Sequence, residues 1–142
     1  MKRETRLAIL SGSKVNTFKV FLITVFRGNL IDGICLDILS NVDEFVNFIK
    51  NCKYLGEIRL IIYLLDSNRI NKDEQIIGHI DKIIPQYIVM SDEGEILKVK
   101  NVKSRIIKMI YMRMSIHEKI RLHRSILTEI VNIFRGEING RE

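Results

Sequence analysis

The sequence predicts an α/β fold, one mixed β-sheet flanked by helices, and three observations carry that expectation. Residues 59–67 read R-L-I-I-Y-L-L-D-S, an unbroken apolar run of the kind buried on both faces of a helix-covered sheet. Two runs rich in β-branched and aromatic residues, 18–26 and 30–36, are separated by Arg27-Gly28-Asn29 and read as a hairpin. The last third of the chain instead places its apolar residues at helical spacing.

Taken in order, residues 6–10 form a short first strand closed by Ser11-Gly12-Ser13. The hairpin supplies the second and third strands, with Asp32-Gly33 marking a bulge or bend inside the returning one. Asn41 caps a helix on which Val42, Phe45, Val46, Phe48 and Ile49 share a face. Gly56 ends that region, and the buried strand 58–65 follows, stopping at Asp66. A short helix covers 72–80, and Pro85 precedes a strand at 86–90. The acidic turn Ser91-Asp92-Glu93-Gly94 leads into an alternating strand at 95–100, an edge or a hairpin return. Two helices close the chain. The first runs from about 102 to 114, with Val102, Ile106, Met109 and Ile110 on one face. The second opens at Ser115 with Glu118 as a capping box. It buries Ile116, Ile120, Leu127, Ile130, Val131 and Phe134, and Gly136 is its natural stop. The order β-β-β-α-β-α-β-β-α-α sets the first strand beside the strand that ends at Asp66. That arrangement belongs to the ribonuclease H-like group of folds, and other α/β sheets share it.

At 142 residues the chain is expected to be one domain, residues 1–142. Its 46% hydrophobic and 28% charged residues describe a globular protein and exclude a disordered one. No apolar run reaches the length of a membrane span, and no signal core follows the polar N-terminus. Cys35 and Cys52 have no metal-type spacing and read as two reduced core thiols, which suits a cytoplasmic protein. The net charge of +6 is uneven. Residues 98–124 hold nine Lys or Arg against one acid, a net of +8, so the rest of the chain carries −2. A one-sided basic block attracts a phosphate backbone, and it is equally what a solvated helical face looks like.

Four stretches carry a resemblance. V-F-R-G-N-L-I-D-G (25–33) resembles a motif of an uncharacterised archaeal family, domain-of-unknown-function family 99, which is similar to endonuclease V. The likeness continues through Ile58-Arg59 and the apolar strand to Leu65-Asp66, through I-P-Q-Y-I-V-M (84–90), and through F-R-G-E-I-N-G-R (134–141). It implies a ribonuclease H-like, endonuclease V-like domain, shortened and divergent, and in its active relatives metal-dependent nuclease chemistry. The first strand departs from the family. Its members end that strand with Asp-Asp-Gly, equivalent to the first catalytic carboxylate of endonuclease V, where this chain has Ser11-Gly12-Ser13. The family's Gly-rich loop after the strand aspartate is here a shorter Asp66-Ser67-Asn68, and a later helical segment is reduced to the turn at 91–94.

Mg²⁺-assisted phosphodiester cleavage needs carboxylates converging on a hard cation. Asp66 is the candidate catalytic residue and metal ligand, and Asp32 the candidate second ligand; Ser11 offers a hydroxyl but no charge. His117 and His123 are six residues apart, on different sides of one helix, and His79 stands alone, so all three read as surface or boundary residues. For nucleic acid the candidates are Lys98, Lys100, Lys103, Arg105, Lys108, Arg113, Arg121 and Arg124, holding a DNA or RNA backbone without base reading. The leading expectation is an endonuclease V-like protein without nuclease activity that binds nucleic acid through its basic helices. Two alternatives stand beside it. One is a Mg²⁺-dependent nuclease using Asp66. The other is an interaction module, a homodimer formed through the hairpin edge or the C-terminal helix.

Overall fold

A computed structural model describes residues 6–15, 17–41, 43–65 and 70–139. Its elements are β1 (Arg6–Val15), β2 (Phe18–Arg27), β3 (Leu30–Leu39), α1 (Asp43–Lys50), a 3-10 turn (Leu55–Glu57), β4 (Ile58–Leu65), α2 (Ile70–Ile83), β5 (Tyr87–Ser91), β6 (Ile96–Lys100), α3 (Ser104–Arg113) and α4 (Ile116–Asn139). The strands form one six-stranded sheet in the order β3-β2-β1-β4-β5-β6. β1, β4 and β5 are parallel, and β2, β3 and β6 join by antiparallel pairings. The expected order of elements is present, and β1 lies beside β4 with Leu10 opposite Tyr63.

Alternation along the strands sends side chains to two separate cores. Ala8, Leu10, Phe21, Ile61 and Tyr63 pack with Phe45, Ile49, Ile76 and Ile80 of α1 and α2. Leu7, Ile9, Phe26, Leu60 and Ile62 pack with Ile110, Ile116 and Ile120 of α3 and α4. Farther along α4, Leu127 and Val131 meet Val15, Val20 and Leu22. β4 is therefore buried on both sides, as its unbroken apolar run requires. α1 starts as expected. Asn41 Oδ1 accepts the Glu44 N–H at 3.1 Å, and the Ser40 hydroxyl donates to the Glu44 carboxylate at 2.7 Å. Val42, expected on that helix's inner face, lies outside the described residues.

Several boundaries differ from expectation. β1 does not close at Ser11 but runs to Val15, because Ser11, Gly12 and Ser13 pair with Leu22, Phe21 and Val20 of the long β2. Ladder hydrogen bonds use backbone only, so a Ser-Gly-Ser sequence that reads as a turn continues a strand when its partner does. β3 likewise reaches Leu39, and α2 spans Ile70–Ile83. α4 passes through Gly136, which is solvent-exposed, and ends at Asn139; a helical glycine costs about 1 kcal/mol and does not by itself stop a helix. Ser115 has φ +49°, not the extended backbone of a capping residue, and its carbonyl accepts the Lys119 N–H at 3.1 Å. The bulge is where expected: Val25 faces Gly33 and Phe26 faces Ile31, leaving Asp32 as the extra residue.

The cysteines are a correction. Cys35 on β3 and Cys52 just after α1 form a disulfide, with Cα atoms 6.0 Å apart, and are not two free thiols. Packing of α1 over the sheet brings them together, which their spacing of 17 residues does not announce. Cysteine usage thus no longer argues for a reducing compartment. Among the described residues no helix is long and apolar enough to cross a membrane.

Candidate functional site

In an open α/β sheet the ligand site is sought at the carboxyl ends of the parallel strands, where the chain reverses its order. Here that place lies under α4, where β1 passes Ser11 and β4 ends at Leu65. Ser11 follows Leu7 and Ile9 on the α4 face of β1, and Thr24 sits between Leu22 and Phe26 on the same face of β2. Between them stands His123 of α4. Its Nε2 lies 2.6 Å from Ser11 Oγ and its Nδ1 lies 2.8 Å from Thr24 Oγ1. His123 and Thr24 are fully buried. A neutral imidazole has one donor and one acceptor nitrogen, so it gives a proton to one hydroxyl and takes one from the other. Burial lowers the His123 pKa to about 3, so the ring is neutral at physiological pH. That value makes it a poor general base, and both nitrogens are already engaged. The network ties β1 and β2 to α4.

Beside this tie opens a cleft of about 300 Å³, lined by Ser11, Ser13, Asp92, Arg124, Thr128 and Arg135. Arg124, Thr128 and Arg135 share one flank of α4 at helical spacing. Arg124 is 3.6 Å from the Asp92 carboxylate and donates to the Asp92 carbonyl at 3.4 Å. Arg135 has no ion pair among the described residues. The cleft therefore offers hydroxyls and two guanidiniums, one already partly neutralised.

Of the two expected metal ligands, the described one, Asp32, does not reach this cleft. Asp66, with Ser67 and Asn68, lies outside the described residues. Asp32 sits beside Arg6, at 2.8 Å, and Arg27, at 4.0 Å, at the amino end of β1. Arg6 lies opposite Ile58, seven residues before Leu65, which is ~23 Å along the strand. Asp32 thus lies at the opposite end of the sheet from the cleft. Among the described residues no three His, Cys, Asp or Glu side chains converge. With Ser11 held by His123 and Asp92 held by Arg124, the described donors do not fit a Mg²⁺ site.

The basic block also divides. Lys98 and Lys100 of β6 turn toward the Tyr87 ring, at 5.7 and 5.8 Å, and Lys100 pairs with Asp81 at 3.0 Å. Its hydrogen bond holds the Asp81 carboxyl below the usual range. Lys103 and Arg105 border a different cavity, at the amino ends of the strands. Lys108 and Arg121 are exposed on α3 and α4, and Arg113 ends α3. Of the described side chains in this block, only Arg124 reaches the cleft. Lys119, one of the nine cations, is 4% exposed. It donates to the Met114 carbonyl and to Asn29 Oδ1 and lies over the Phe26 ring, and burial lowers its pKa. Strand alternation and helix pitch scatter side chains that are close in sequence.

His123 is the other correction. It is not a surface residue but part of the inner stripe Ile116, Ile120, His123, Leu127, Val131, and that spacing is visible in the sequence. His117, by contrast, is exposed beside the Tyr111 ring. Thr24 is signalled by its alternation with Leu22 and Phe26, and Arg135 by its helical phase with Arg124.

No protein-family model and no curated protein matches this chain. Among solved structures, a protein of unknown function from Archaeoglobus fulgidus DSM 4304 is similar, with a TM-score of 0.63 and 11% identity. The match covers 89% of this chain and 98% of that one. At that identity the likeness concerns the fold, a mixed α/β sheet with helices on both faces.

Proposed function

We propose that this chain is a ribonuclease H-like domain, related to family 99 and endonuclease V, whose nuclease site has been rebuilt as a cleft that holds a nucleic-acid backbone without cutting it. The observation that carries the reading is the replacement at Ser11 of β1, level with the carboxyl end of β4. Where the resemblance expects a catalytic aspartate there is Ser11, and its hydroxyl is bound to a buried neutral histidine at 2.6 Å. The three-stranded meander with β4 parallel to β1 supports the fold assignment. Arg124 and Arg135 supply the phosphate contacts, and Ser13 and Thr128 supply hydroxyl donors. The dispersal of the other cations makes the footprint small, so binding is weak and not base-specific.

Fluorescence anisotropy with labelled single- and double-stranded DNA and RNA, at several salt concentrations, tests this. Binding should weaken steeply with salt, and Arg124→Ala with Arg135→Ala should lower the log–log salt slope by about 2. Binding that is absent at low salt, or unchanged in the double variant, would overturn the reading. Mg²⁺-dependent cleavage abolished by Asp66→Asn would replace it with the nuclease alternative.

One observation favours a second reading, an assembly module. β3 is an edge strand whose Ile34, Leu36 and Ile38 are 44%, 42% and 40% exposed. A long apolar edge invites strand pairing. A second copy placed antiparallel about Leu36 sets Ile34 opposite Ile38 and Asp37 opposite Cys35, so apolar meets apolar and the aspartates stay apart. Light scattering across a concentration series should then show a dimer that Leu36→Lys dissociates. A monomer at all concentrations removes this reading.

A further inference from the structure

At the opposite end of the sheet lies a cavity of about 370 Å³ that the nucleic-acid reading does not use. It opens between α3 and the amino ends of β1 and β4. Its floor is Leu7, Leu60 and Ile110, all buried, and Met109 and Met114 form part of its wall. Methionine side chains adapt to irregular apolar guests. Around this apolar base stand Arg59, Lys103 and Arg105. No Asp or Glu is among the lining residues, and none of the three cations has an ion pair among the described residues. The contrast with the other cleft is direct, because there Arg124 already has Asp92. Here three positive charges face solvent beside an oily pocket.

We propose that this cavity is a binding site for a small amphipathic anion, a single aliphatic chain bearing a carboxylate or similar head. The chain would lie on Leu7, Leu60 and Ile110, and the head would meet Lys103, Arg105 and Arg59. Charge complementarity selects the ligand: a neutral chain leaves the cations unanswered, and a bare anion leaves the apolar floor wet. The volume is at the small end for ligand sites, which suits about eight to ten carbons. Arg59 lies at an irregularity in the β1–β4 register, where Arg6 faces Ile58 and Leu7 faces Leu60. That bulge releases Arg59 from strict strand alternation and brings it to the cavity rim.

Isothermal titration of the full chain with decanoate below its micelle concentration tests the site, with 1-decanol and inorganic phosphate as matched probes. Decanoate should bind one to one, at least about tenfold tighter than decanol, while phosphate gives no saturable heat. Lys103→Gln with Arg105→Gln, both exposed and outside the packing, should weaken decanoate by about tenfold for each cation that meets the head. Met109→Trp, which fills the cavity, should abolish binding while the thermal transition stays cooperative. Arg124→Ala with Arg135→Ala should leave decanoate binding unchanged, which separates this site from the nucleic-acid cleft. No heat with decanoate, equal affinity for decanol, or full affinity in the Lys103/Arg105 variant would overturn the proposal.

Discussion

On the α1 and α2 side, the sheet meets its helices mainly through aliphatic and aromatic carbon and one disulfide, with polar contacts at the margin, where Asp81 of α2 accepts from the Tyr87 hydroxyl and pairs with Lys100. On the α3 and α4 side, four polar side chains, Ser11, Thr24, Lys119 and His123, are buried in the same layer. Among the described residues every buried side-chain nitrogen and oxygen has a partner, so this polarity is not a defect. The difference teaches how each helix is positioned. Apolar packing is forgiving in register. A histidine that must meet one hydroxyl on β1 and another on β2 permits one seating of α4. α4 therefore presents Arg124 and Arg135 to the cleft at a defined height.

The largest test of that contrast is His123→Ala. It leaves two buried hydroxyls without their partner and opens a cavity, and should cost about 3–5 kcal/mol in urea unfolding. Combining Ser11→Ala, Thr24→Val and His123→Leu should recover most of that loss, because the polar groups then leave together. A loss below about 1 kcal/mol for His123→Ala would show that the network is incidental.

Next comes acid. Folded His123 titrates at about 3, against an ordinary 6.5 when unfolded. Between those values the unfolded chain takes up a proton that the folded chain refuses, so stability falls as pH drops through that window. From pH 7 to pH 4 this residue alone should remove about 3 kcal/mol, and the triple apolar variant should lack that component. The α1 and α2 side has its own test. Reducing the Cys35–Cys52 bridge, or Cys52→Ser, should cost about 3 kcal/mol for a loop of 17 residues, read from thermal unfolding with and without reductant. The smallest effect is expected from Gly33→Ala, because a Cβ there overlaps the Tyr54 ring and the ring must shift. About 1–3 kcal/mol is the usual cost of such overpacking, and Tyr54→Leu in the same chain should relieve part of it.

Much of this was legible in the sequence, residue by residue. The apolar run of β4 announced a strand buried on both sides, the Asp32-Gly33 pair announced a bulge, and Ile116, Ile120, Leu127 and Val131 announced the inner face of α4. Ser11-Gly12-Ser13 misled because turn residues are read locally, whereas β2 decides how far β1 extends. The disulfide was hidden for the same reason: its partners meet only after α1 folds over β3. Of the candidate site, Asp66 lies outside the described residues. Asp32 and the basic residues are close to the right elements in sequence, yet which end of the sheet they occupy depends on strand direction and register. His123 was misjudged by residue type, although its position in the stripe was plain.

The parallel contact between β1 and β4 has a consequence for how the chain assembles. The meander of β1, β2 and β3 closes through short turns, and forms from local pairings. Joining Leu10 to Tyr63 must first close a loop of about fifty residues. That step gains little until several rungs of the ladder are made, so stopped-flow refolding should find it the slow phase. Before it is complete, Ile58–Leu65 is an open apolar edge, and β1 waits with its other edge bare. Refolding yield should therefore fall as protein concentration rises, and a nascent chain held at residue 57 should need a holding chaperone.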